Sequence, residues 1–530
     1  MTTAMTLLAT RWQRLELSFA STVRYDNPVQ DVTLHARFTA PSGREYTVPG
    51  FWDGDNVWRV RFAPDEEDWW QYTTFCSDPD NGGLHDHQGA FECNEGEGLT
   101  AFENHGPVRL AANRRYLAHA DGKPFFWLGD TGWYGSLLAT DEEWTYYCWT
   151  RARQGYTAVQ IQTTQWAALP NGDRLGEHAF TGNDRIVINP AFFQRLDQRL
   201  DTLNRFGLLA VPVLLWTAVW MDPAMNRLNP GNSLPEDQAI VLANYMVARW
   251  QAHDVAWILN GDGRYEGDVA ARWRRIGQAV FGEGPHAPVT MHPCGTHWPY
   301  ADFQEEAWLD IVGYQSGHSI SDDALRWITS GPPATDWRKM PARPFINLEP
   351  PYENHMAFPS SERFGPQAVR RAIYWSLLNA PTAGVTYGGH GVWGWDDGSA
   401  PPLGHPKTGI PYPWQDALHM AAGEQMAHLA KLMRTIPWHE LRPAPELVAV
   451  QPGNQEPRRY IAAAQSADRS LALLYIPEDD QVTLDLSGWR VRPTAEWFNP
   501  RNGERQPAFG STQQFITPTP GDWVLLLQTK

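Results

Sequence analysis

Short alternating runs of apolar and polar residues dominate the first part of the chain. In "DVTLHARFTAPSGREYTVPGFWDGDNVWRVRFAP", the apolar residues Val32, Leu34, Ala36 and Phe38 recur at every second position. A period of two is the pattern of a strand with one buried face, and turn formers such as "APSG" separate one strand from the next. The pattern predicts an antiparallel β-sandwich of the immunoglobulin or fibronectin type over residues 1–98.

The pattern changes over residues 99–440, where apolar runs alternate with longer segments of helical spacing. The apolar runs predict eight strands, at 124–130, 156–164, 207–217, 255–262, 287–295, 310–318, 343–350 and 383–393. Strands that alternate with helices form parallel sheets. Eight such units predict a (β/α)8 TIM barrel with insertions. The last helix of the barrel is predicted as one long element that begins at Trp414 and closes at Pro437.

Alternation returns over residues 441–530, in runs such as "SLALLYIP" and "GDWVLLLQ", and predicts a second small β-sandwich. The predicted fold class is therefore α/β and multidomain, with a central TIM barrel flanked by N-terminal and C-terminal β-sandwich domains. A chain of 530 residues is too long for a single hydrophobic core, which agrees with several domains.

The composition narrows the function classes. A net charge of -17, with no run rich in Lys or Arg, argues against nucleic acid and against an anionic membrane surface as partners. The 27 tryptophans offer flat apolar faces of the kind that stack on sugar rings, so a carbohydrate substrate is a candidate partner. The 4 cysteines show no CxxC pairing, and we predict neither a metal nor a cofactor.

The cellular location of the protein is predicted from two sequence signals that we do not find. The N-terminal segment has no basic region followed by an apolar region, and no run approaches about 18 apolar residues. These features predict a cytoplasmic protein without a membrane partner. A homo-oligomer is compatible with the sequence, which does not indicate an oligomeric state.

Function in such a barrel concentrates where loops follow the carboxyl ends of the strands. The acids Asp262 and Glu349 end the fourth and seventh strands, which lie opposite each other in an eightfold barrel. Two carboxyl groups facing each other across a cleft are what glycoside hydrolysis requires. The same positions supply these candidate substrate-binding residues: Asp130, Trp133, Gln162, Trp166, Trp216, His292, Gln315, His318, Tyr352, Tyr387, His390 and Trp393.

Each acid has a competing interpretation. The sequence "NGD" that ends in Asp262 is also ordinary turn chemistry, and Glu266 is a weaker alternative to Asp262. Glu353 is the main alternative to Glu349. Capping of the following helix explains Asp130 about as well as sugar binding does.

The residues alone are also compatible with two other functions. His292 and His297 precede Asp310 and His318 on neighbouring strands, as in a metal-dependent hydrolase. That class typically has a His-x-His motif after the first strand, where this chain has "GDT", so we interpret the histidines as hydroxyl-binding or structural. The other alternative is a non-catalytic carbohydrate-binding protein that keeps the barrel and its aromatic mouth.

Several motifs, in order along the chain, resemble one known family. The segments "GKPFFWLGDTGWYG", "GYTAVQIQ", "WILNGDGR", "RPFINLEPPYE" and "WQDALHMAAGEQMAHLAKLMRTIPWHELRP" resemble the apiosidase-like glycoside hydrolases, a (β/α)8 family. The leading segment resembles the β-sandwich often found in front of that barrel. The tail, with "WFNPRNGE" and "GDWVLLLQ", resembles the C-terminal domain of collagen-binding type that often follows it.

The resemblance implies a retaining mechanism, with Asp262 as the acid/base and Glu349 as the nucleophile. Retention predicts carboxyl groups about 5–5.5 Å apart, whereas inversion requires about 6.5–9.5 Å. The predicted function is hydrolysis of a glycosidic bond in an oligosaccharide or glycoside, such as a plant glycan fragment, by double displacement.

Overall fold

The computed structural model of the protein describes residues 7–218, 223–478, 481–509 and 513–529. A central barrel of parallel strands lies between an N-terminal and a C-terminal domain built from β-sheets. This architecture confirms the predicted fold class. Among the described residues, no helix is both long enough and apolar enough to cross a membrane.

The N-terminal domain packs two sheets around one apolar core. Its strands are Leu7–Thr10, Leu15–Ala20, Leu34–Thr39, Glu45–Pro49, Phe51–Trp52, Val57–Phe62, Asp68–Cys76 and Gln88–Asn94, with a short helix at Pro28–Asp31. The first strand runs parallel to the last, and the other pairings are antiparallel. Leu34, Ala36 and Phe38 point into the core, as the period of two predicts.

The barrel contains all eight predicted strands. Each lies inside its predicted range or extends past the end of that range by one residue. They are Trp127–Thr131, Ala158–Gln162, Leu209–Ala218, Trp257–Asp262, Val289–Thr290, Val312–Gln315, Phe345–Glu349 and Gly384–Tyr387. Neighbours in the sheet are neighbours in the chain, and the eighth strand pairs with the first. The fifth and sixth strands meet at Ile311, whose backbone N–H donates to the Val289 carbonyl oxygen at 3.0 Å.

Helices surround the barrel. They are Gly135–Leu138, Asp141–Arg153, Pro190–Arg205, Pro223–Asn226, Pro230–Ser233, Glu236–Trp250, Gly267–Phe281, Asp322–Ser330, Pro332–Thr335, Pro366–Leu378, Trp414–Ala417 and Ala421–Arg434, with short 3₁₀ turns at Asp336–Arg338, Pro406–Thr408 and Trp438–Glu440. The prediction of one long last helix is wrong, because the chain breaks it in two. Glu353 accepts hydrogen bonds from the backbone N–H groups of Ala422 and Gly423, at 3.0 and 3.2 Å, and so satisfies the start of the second helix.

Smaller elements join the three parts. A helix at Ala101–His105 and an antiparallel sheet of Val108–Leu110, Leu117–His119 and Pro124–Phe125 precede the barrel, and the strands Phe180–Thr181 and Val187–Ile188 form a hairpin within it. The C-terminal domain has a six-stranded and a two-stranded sheet. Their strands are Arg442–Pro443, Ala462–Gln465, Leu471–Ile476, Thr494–Phe498, Arg505–Pro507 and Trp523–Gln528, then Gln481–Thr483 and Gln514–Ile516, with 3₁₀ turns at Pro445–Leu447, Pro452–Asn454 and Pro457–Arg459.

The C-terminal sheet packs against the barrel helix that carries Arg370. The Arg370 guanidinium donates to both carboxylate oxygens of Asp522, at 2.8 and 2.7 Å, and the Tyr475 hydroxyl donates to the same group at 2.9 Å. Tyr374 on the helix stacks on Tyr475 with ring centroids 4.7 Å apart. The C-terminal sheet therefore shares a buried face with the barrel.

Replacement of Asp522 by Ala leaves the buried Arg370 without its counter-charge. Breaking a buried ion pair from one side costs about 3–5 kcal/mol, so we expect Asp522→Ala to lower the free energy of unfolding by that amount in urea denaturation. The control is Glu496→Ala, which removes the half-exposed partner of Arg505 and costs about 0–1 kcal/mol. Equal losses in the two variants would contradict a structural role for the Asp522 pair.

Candidate active site

Asp262 and Glu349 are the last residues of the fourth and seventh barrel strands. Since all eight strands are parallel, both acids lie at the rim formed by the carboxyl ends. Next to each acid, the pairing of its strand with the preceding strand also contains an irregularity. The fold therefore brings the two predicted acids to one end of the barrel.

The irregularity beside Asp262 is an extra residue on the third strand. Leu215 pairs with Asn260, but the next partner of the fourth strand is Ala218, opposite Asp262. Beside Glu349, the extra residue belongs to the seventh strand, because Tyr314 and Gln315 pair with residues 347 and 349. Such bulges bend a strand locally and change the direction of a side chain.

The "NGD" sequence is part of the fourth strand and does not form a turn. A Cβ atom at Gly261 would overlap the indole ring of Trp216. Glycine at this position therefore lets the Trp216 ring lie against the strand, next to Asp262. This close packing is the physical reason for a glycine between Asn260 and Asp262.

Gln315 and His292 connect the two acids. The Gln315 side-chain amide donates to Asp262 Oδ1 at 2.7 Å and lies 3.5 Å from His292 Nδ1. His292 Nε2 lies 3.5 Å from Glu349 Oε2. Because Gln315 Nε2 is a donor, the His292 proton belongs on Nε2, where it faces Glu349.

Glu349 has a second imidazole beside it. His318 Nδ1 accepts a hydrogen bond from the backbone N–H of Tyr352 at 3.3 Å, so His318 Nε2 carries the proton and donates to Glu349 Oε1 at 2.9 Å. Burial raises the pKa of Glu349, but the hydrogen bond from His318, electrostatic attraction to the His318 and His292 rings and the Tyr352 hydroxyl together lower it below its ordinary value. A carboxyl group that is only 12% exposed is therefore held ionised.

Aromatic rings in mutual contact form a continuous row beside this centre, which we call the ring wall. Successive ring centroids lie 4.7–6.3 Å apart, and the first and last rings both contact Glu349. The ring wall consists, in order, of His292, Trp133, Trp216, Trp166, Tyr134, Trp393, Tyr352 and His318. Its indole faces are of the kind that stack on a sugar ring.

Several buried polar atoms in and beside the ring wall have no hydrogen-bond partner within the described parts of the chain. They include both amide atoms of Gln162 and of Asn260, the indole N–H groups of Trp166, Trp216 and Trp393, the hydroxyl groups of Tyr134 and Tyr352, and Nε2 of His292 and of His390. Leaving one such group unsatisfied costs about 1–3 kcal/mol, and most buried polar groups in proteins are paired. Their concentration at one site indicates a ligand with many hydroxyl groups.

Two predicted substrate-binding residues have other roles. Asp130 is fully buried, and its Oδ2 accepts hydrogen bonds from Arg151 at 2.6 Å and from Tyr147 at 2.7 Å, both on the helix outside the barrel. The Tyr387 hydroxyl donates to Glu353 at 2.8 Å. Both side chains therefore point toward the helical layer, and sugar binding by Asp130 and Tyr387 stays a prediction that these contacts do not favour.

The alternative acids also have structural partners. Glu353 is buried and accepts hydrogen bonds from Tyr387 and from the start of the last long helix. Glu266 precedes the helix Gly267–Phe281, is 68% exposed and lies 3.3 Å from His297 Nδ1.

The residues considered for a metal do not converge. His292 and His318 contact Glu349, whereas His297 accepts a hydrogen bond from the backbone of the loop after the fourth strand. Asp310 lies before the sixth strand and contacts His286 at 3.6 Å. In the described ranges, no group of three or more His, Cys, Asp or Glu residues is placed to hold a metal ion.

Sequence analysis did not single out three residues of the site. Asn260 lies two residues before Asp262 and so on the same face of its strand, a signal that could have identified it. Tyr134 and His355 lie in loops, where no periodicity marks a side chain. His355 stacks on His318 with ring centroids 4.1 Å apart, and burial lowers the pKa of His355, so a neutral ring supports His318.

Comparison with known families identifies the barrel. The family described as "Apiosidase-like, catalytic domain" matches residues 111–440, more than half of the chain. The chain belongs to the apiosidase-like family. Membership makes this apiosidase-like protein a glycoside hydrolase. A domain of unknown function matches residues 9–77, and the "Putative collagen-binding domain of a collagenase" matches residues 443–528.

Solved structures share the fold of the apiosidase-like protein. A "putative glycoside hydrolase" from Bacteroides vulgatus has a TM-score of 0.72 at 18% identity, over 99% of this chain and 100% of that one. A glycoside hydrolase family 5 protein from the same organism has a TM-score of 0.69 at 23% identity, over 82% of this chain and 95% of that one. No match was found among curated proteins.

His318 is predicted to set the acid limb of the pH profile. Replacement of His318 by Ala removes the strongest influence that lowers the pKa of Glu349, so this pKa rises and the carboxylate form is lost at higher pH. We expect the acid limb of kcat/KM to move to higher pH. His286→Ala, which removes a histidine near Asp310, is the control and should leave the limb in place. An unchanged limb in His318→Ala would contradict this role.

Proposed function

We propose that the protein is a retaining glycoside hydrolase that cleaves a glycosidic bond in an oligosaccharide or glycoside by double displacement. Glu349 is the nucleophile, and Asp262 is the acid/base. The observation that supports this most strongly is the path from Asp262 through Gln315 and His292 to Glu349, with the ring wall beside it. It gives the two carboxyl groups different surroundings, and different surroundings allow different roles.

The surroundings of Glu349 suit a nucleophile. Its lowered pKa keeps the carboxylate ionised, and His318 and His292 contact separate oxygens and fix its orientation. In the first step a carboxylate oxygen forms a bond to the anomeric carbon while the bond to the leaving oxygen breaks. The product is a glycosyl ester of Glu349.

The surroundings of Asp262 suit proton transfer. Oδ1 accepts a hydrogen bond from the neutral Gln315 amide, so a proton on the acid form belongs on Oδ2. Asp262 gives this proton to the leaving oxygen in the first step. In the second step it takes a proton from water, whose oxygen attacks the anomeric carbon, and Glu349 leaves as a carboxylate.

The unpartnered atoms of the site suggest a neutral sugar. They include amide groups, indole N–H groups, tyrosine hydroxyl groups and imidazole nitrogens, which match sugar hydroxyl groups and carry no formal charge. The indole rings supply stacking faces beside them. Plant oligosaccharides and their aryl glycosides are therefore the substrates with which we would begin a screen.

Variants of the two acids should have different effects. Glu349→Gln removes the nucleophile, and we expect kcat to fall by at least about 10³-fold on every substrate. Asp262→Asn removes the proton donor. We expect kcat/KM to fall about 10²–10⁴-fold on substrates with poor leaving groups. The loss should be much smaller on a 4-nitrophenyl glycoside, because 4-nitrophenolate leaves without protonation. Steady-state kinetics on both substrate types tests this.

The matched control is Glu353→Gln, which changes a buried acid in the loop that directly follows Glu349 and should lower thermal stability more than kcat. Retention of anomeric configuration in the first product, followed by NMR, is the expected stereochemistry. Full activity in both acid variants would show that the site is elsewhere. Loss of activity on addition of a chelator would favour a metal-dependent hydrolase, and binding without cleavage would favour a carbohydrate-binding protein.

A further inference from the structure

One acid near the ring wall has no place in the mechanism above. Asp396 lies in the loop after the eighth strand, and its Oδ2 is buried without a hydrogen-bond partner in the described parts of the chain. Burial, followed by the charge of Asp397, raises the pKa of Asp396 to about 7. A buried carboxyl group in this condition destabilises the fold, which indicates a use for it.

The loop is shaped around this carboxyl group. A Cβ atom at Gly394 would overlap Asp396 Oδ2, so glycine is required for the carboxyl group to lie where it does. Trp395 has a φ of 51°, in the left-handed region, which is a strained conformation for a residue of this size. Its ring stacks on Trp414 with centroids 4.1 Å apart, and this packing holds the strained conformation in place.

Hydrogen-bond donors without partners lie on neighbouring residues. The Tyr134 backbone N–H donates to the Trp393 carbonyl oxygen at 3.1 Å, three residues before Asp396. The Tyr134 hydroxyl is buried without a partner among the described residues, and burial and then the charge of Asp396 raise the pKa of Tyr134. The Tyr134 ring lies 5.2 Å from the ring of Trp166 and 5.6 Å from that of Trp393, and both of these indole N–H groups also lack partners there. One acceptor and three donors without partners are therefore carried by residues that are neighbours in the fold.

This group adjoins the catalytic centre. Trp166 contacts Trp216, which packs beside Asp262, with ring centroids 5.0 Å apart. Trp393 contacts Tyr352, the neighbour of Glu349, with ring centroids 6.3 Å apart. A ligand held by Tyr134, Trp166 and Trp393 would thus lie against the sugar that is held between the two acids.

We propose that Asp396, Tyr134, Trp166 and Trp393 form a second sugar subsite beside the catalytic one, in which Asp396 accepts a hydrogen bond from a hydroxyl group of the neighbouring sugar. This inference rests on the proposed function and specifies its substrate class. The substrate contains at least two sugar units, and the second unit carries a free hydroxyl group that Asp396 recognises. Asp396 is a specificity-determining residue that does not contact the reacting bond.

The test compares two substrates that share their terminal sugar. One is the 4-nitrophenyl glycoside that the wild-type enzyme cleaves fastest in a panel, and the other is a disaccharide with the same terminal sugar. The variants are Asp396→Asn and Asp396→Ala. Asp397→Asn is the matched control, because Asp397 is the exposed neighbour and bonds to Ser399. Thermal unfolding of each variant shows whether it is folded.

We expect the Asp396 variants to raise KM for the disaccharide about 10-fold or more and to change kcat/KM for the aryl glycoside less than about 2-fold. Asp397→Asn should change neither value. Unchanged kinetics on the disaccharide in both Asp396 variants would overturn the subsite. Equal losses on both substrates would place Asp396 at the reacting sugar and would also overturn it. If Asp396→Ala does not fold, the isosteric Asp396→Asn decides.

The same proteins separate this inference from the proposed function. Calorimetric titration of the disaccharide into Glu349→Gln, with and without Asp396→Asn, measures binding without turnover. Weaker binding in the double variant supports the subsite even if the wild-type protein cleaves nothing, in which case only the hydrolytic function fails. Equal binding in the two variants, or no binding of the disaccharide by either, contradicts the subsite.

Discussion

The contacts of His318 and His292 with Glu349 are the interaction on which the site depends. A carboxylate with little access to water is costly unless hydrogen bonds replace the lost hydration. His318, after the sixth strand, donates to one oxygen of Glu349, and His292, after the fifth strand, lies 3.5 Å from the other. With the carboxylate held in this way, aromatic rings can pack beside Glu349 while it stays ionised.

The barrel supplies these positions through its irregularities as much as through its regular pairing. In regular pairing, the residues at a strand end alternate between the interior and the helical layer. One extra residue on the third strand and one on the seventh change that alternation next to each acid. The same principle explains Asp130, which lies on a regular stretch of the first strand and points outward to Arg151.

The sequence predicted those parts of the fold that depend on local patterns. All eight barrel strands were found because each is a short apolar run, and Asp262 and Glu349 were placed correctly at strand ends because each ends such a run. The outward direction of Asp130 and Tyr387 could not be predicted, because strands buried on both faces are apolar throughout and their sequence does not show which face a polar residue occupies. The break in the last helix was missed because the carboxylate that satisfies its second half, Glu353, is distant in the chain.

Loop residues of the site could not be predicted for a related reason. Tyr134, His355 and Asp396 reach the site through contacts between segments far apart in sequence, and no period marks them. The glycines nearby carried some information, because Gly261 and Gly394 each stand where a Cβ atom would overlap a side chain of the site. A glycine between bulky residues near a strand end is thus a useful indication of close packing at a functional site.

In the proposed mechanism, Glu349 becomes covalently attached to the sugar. A 2-deoxy-2-fluoro glycoside with a good leaving group slows the breakdown of such an ester, and peptide mapping by mass spectrometry then locates it. The predicted result is one equivalent of the fluorosugar on the peptide that contains Glu349, and no label in Glu349→Gln. A label on Glu353, or turnover with inversion and no label, would contradict the assignment.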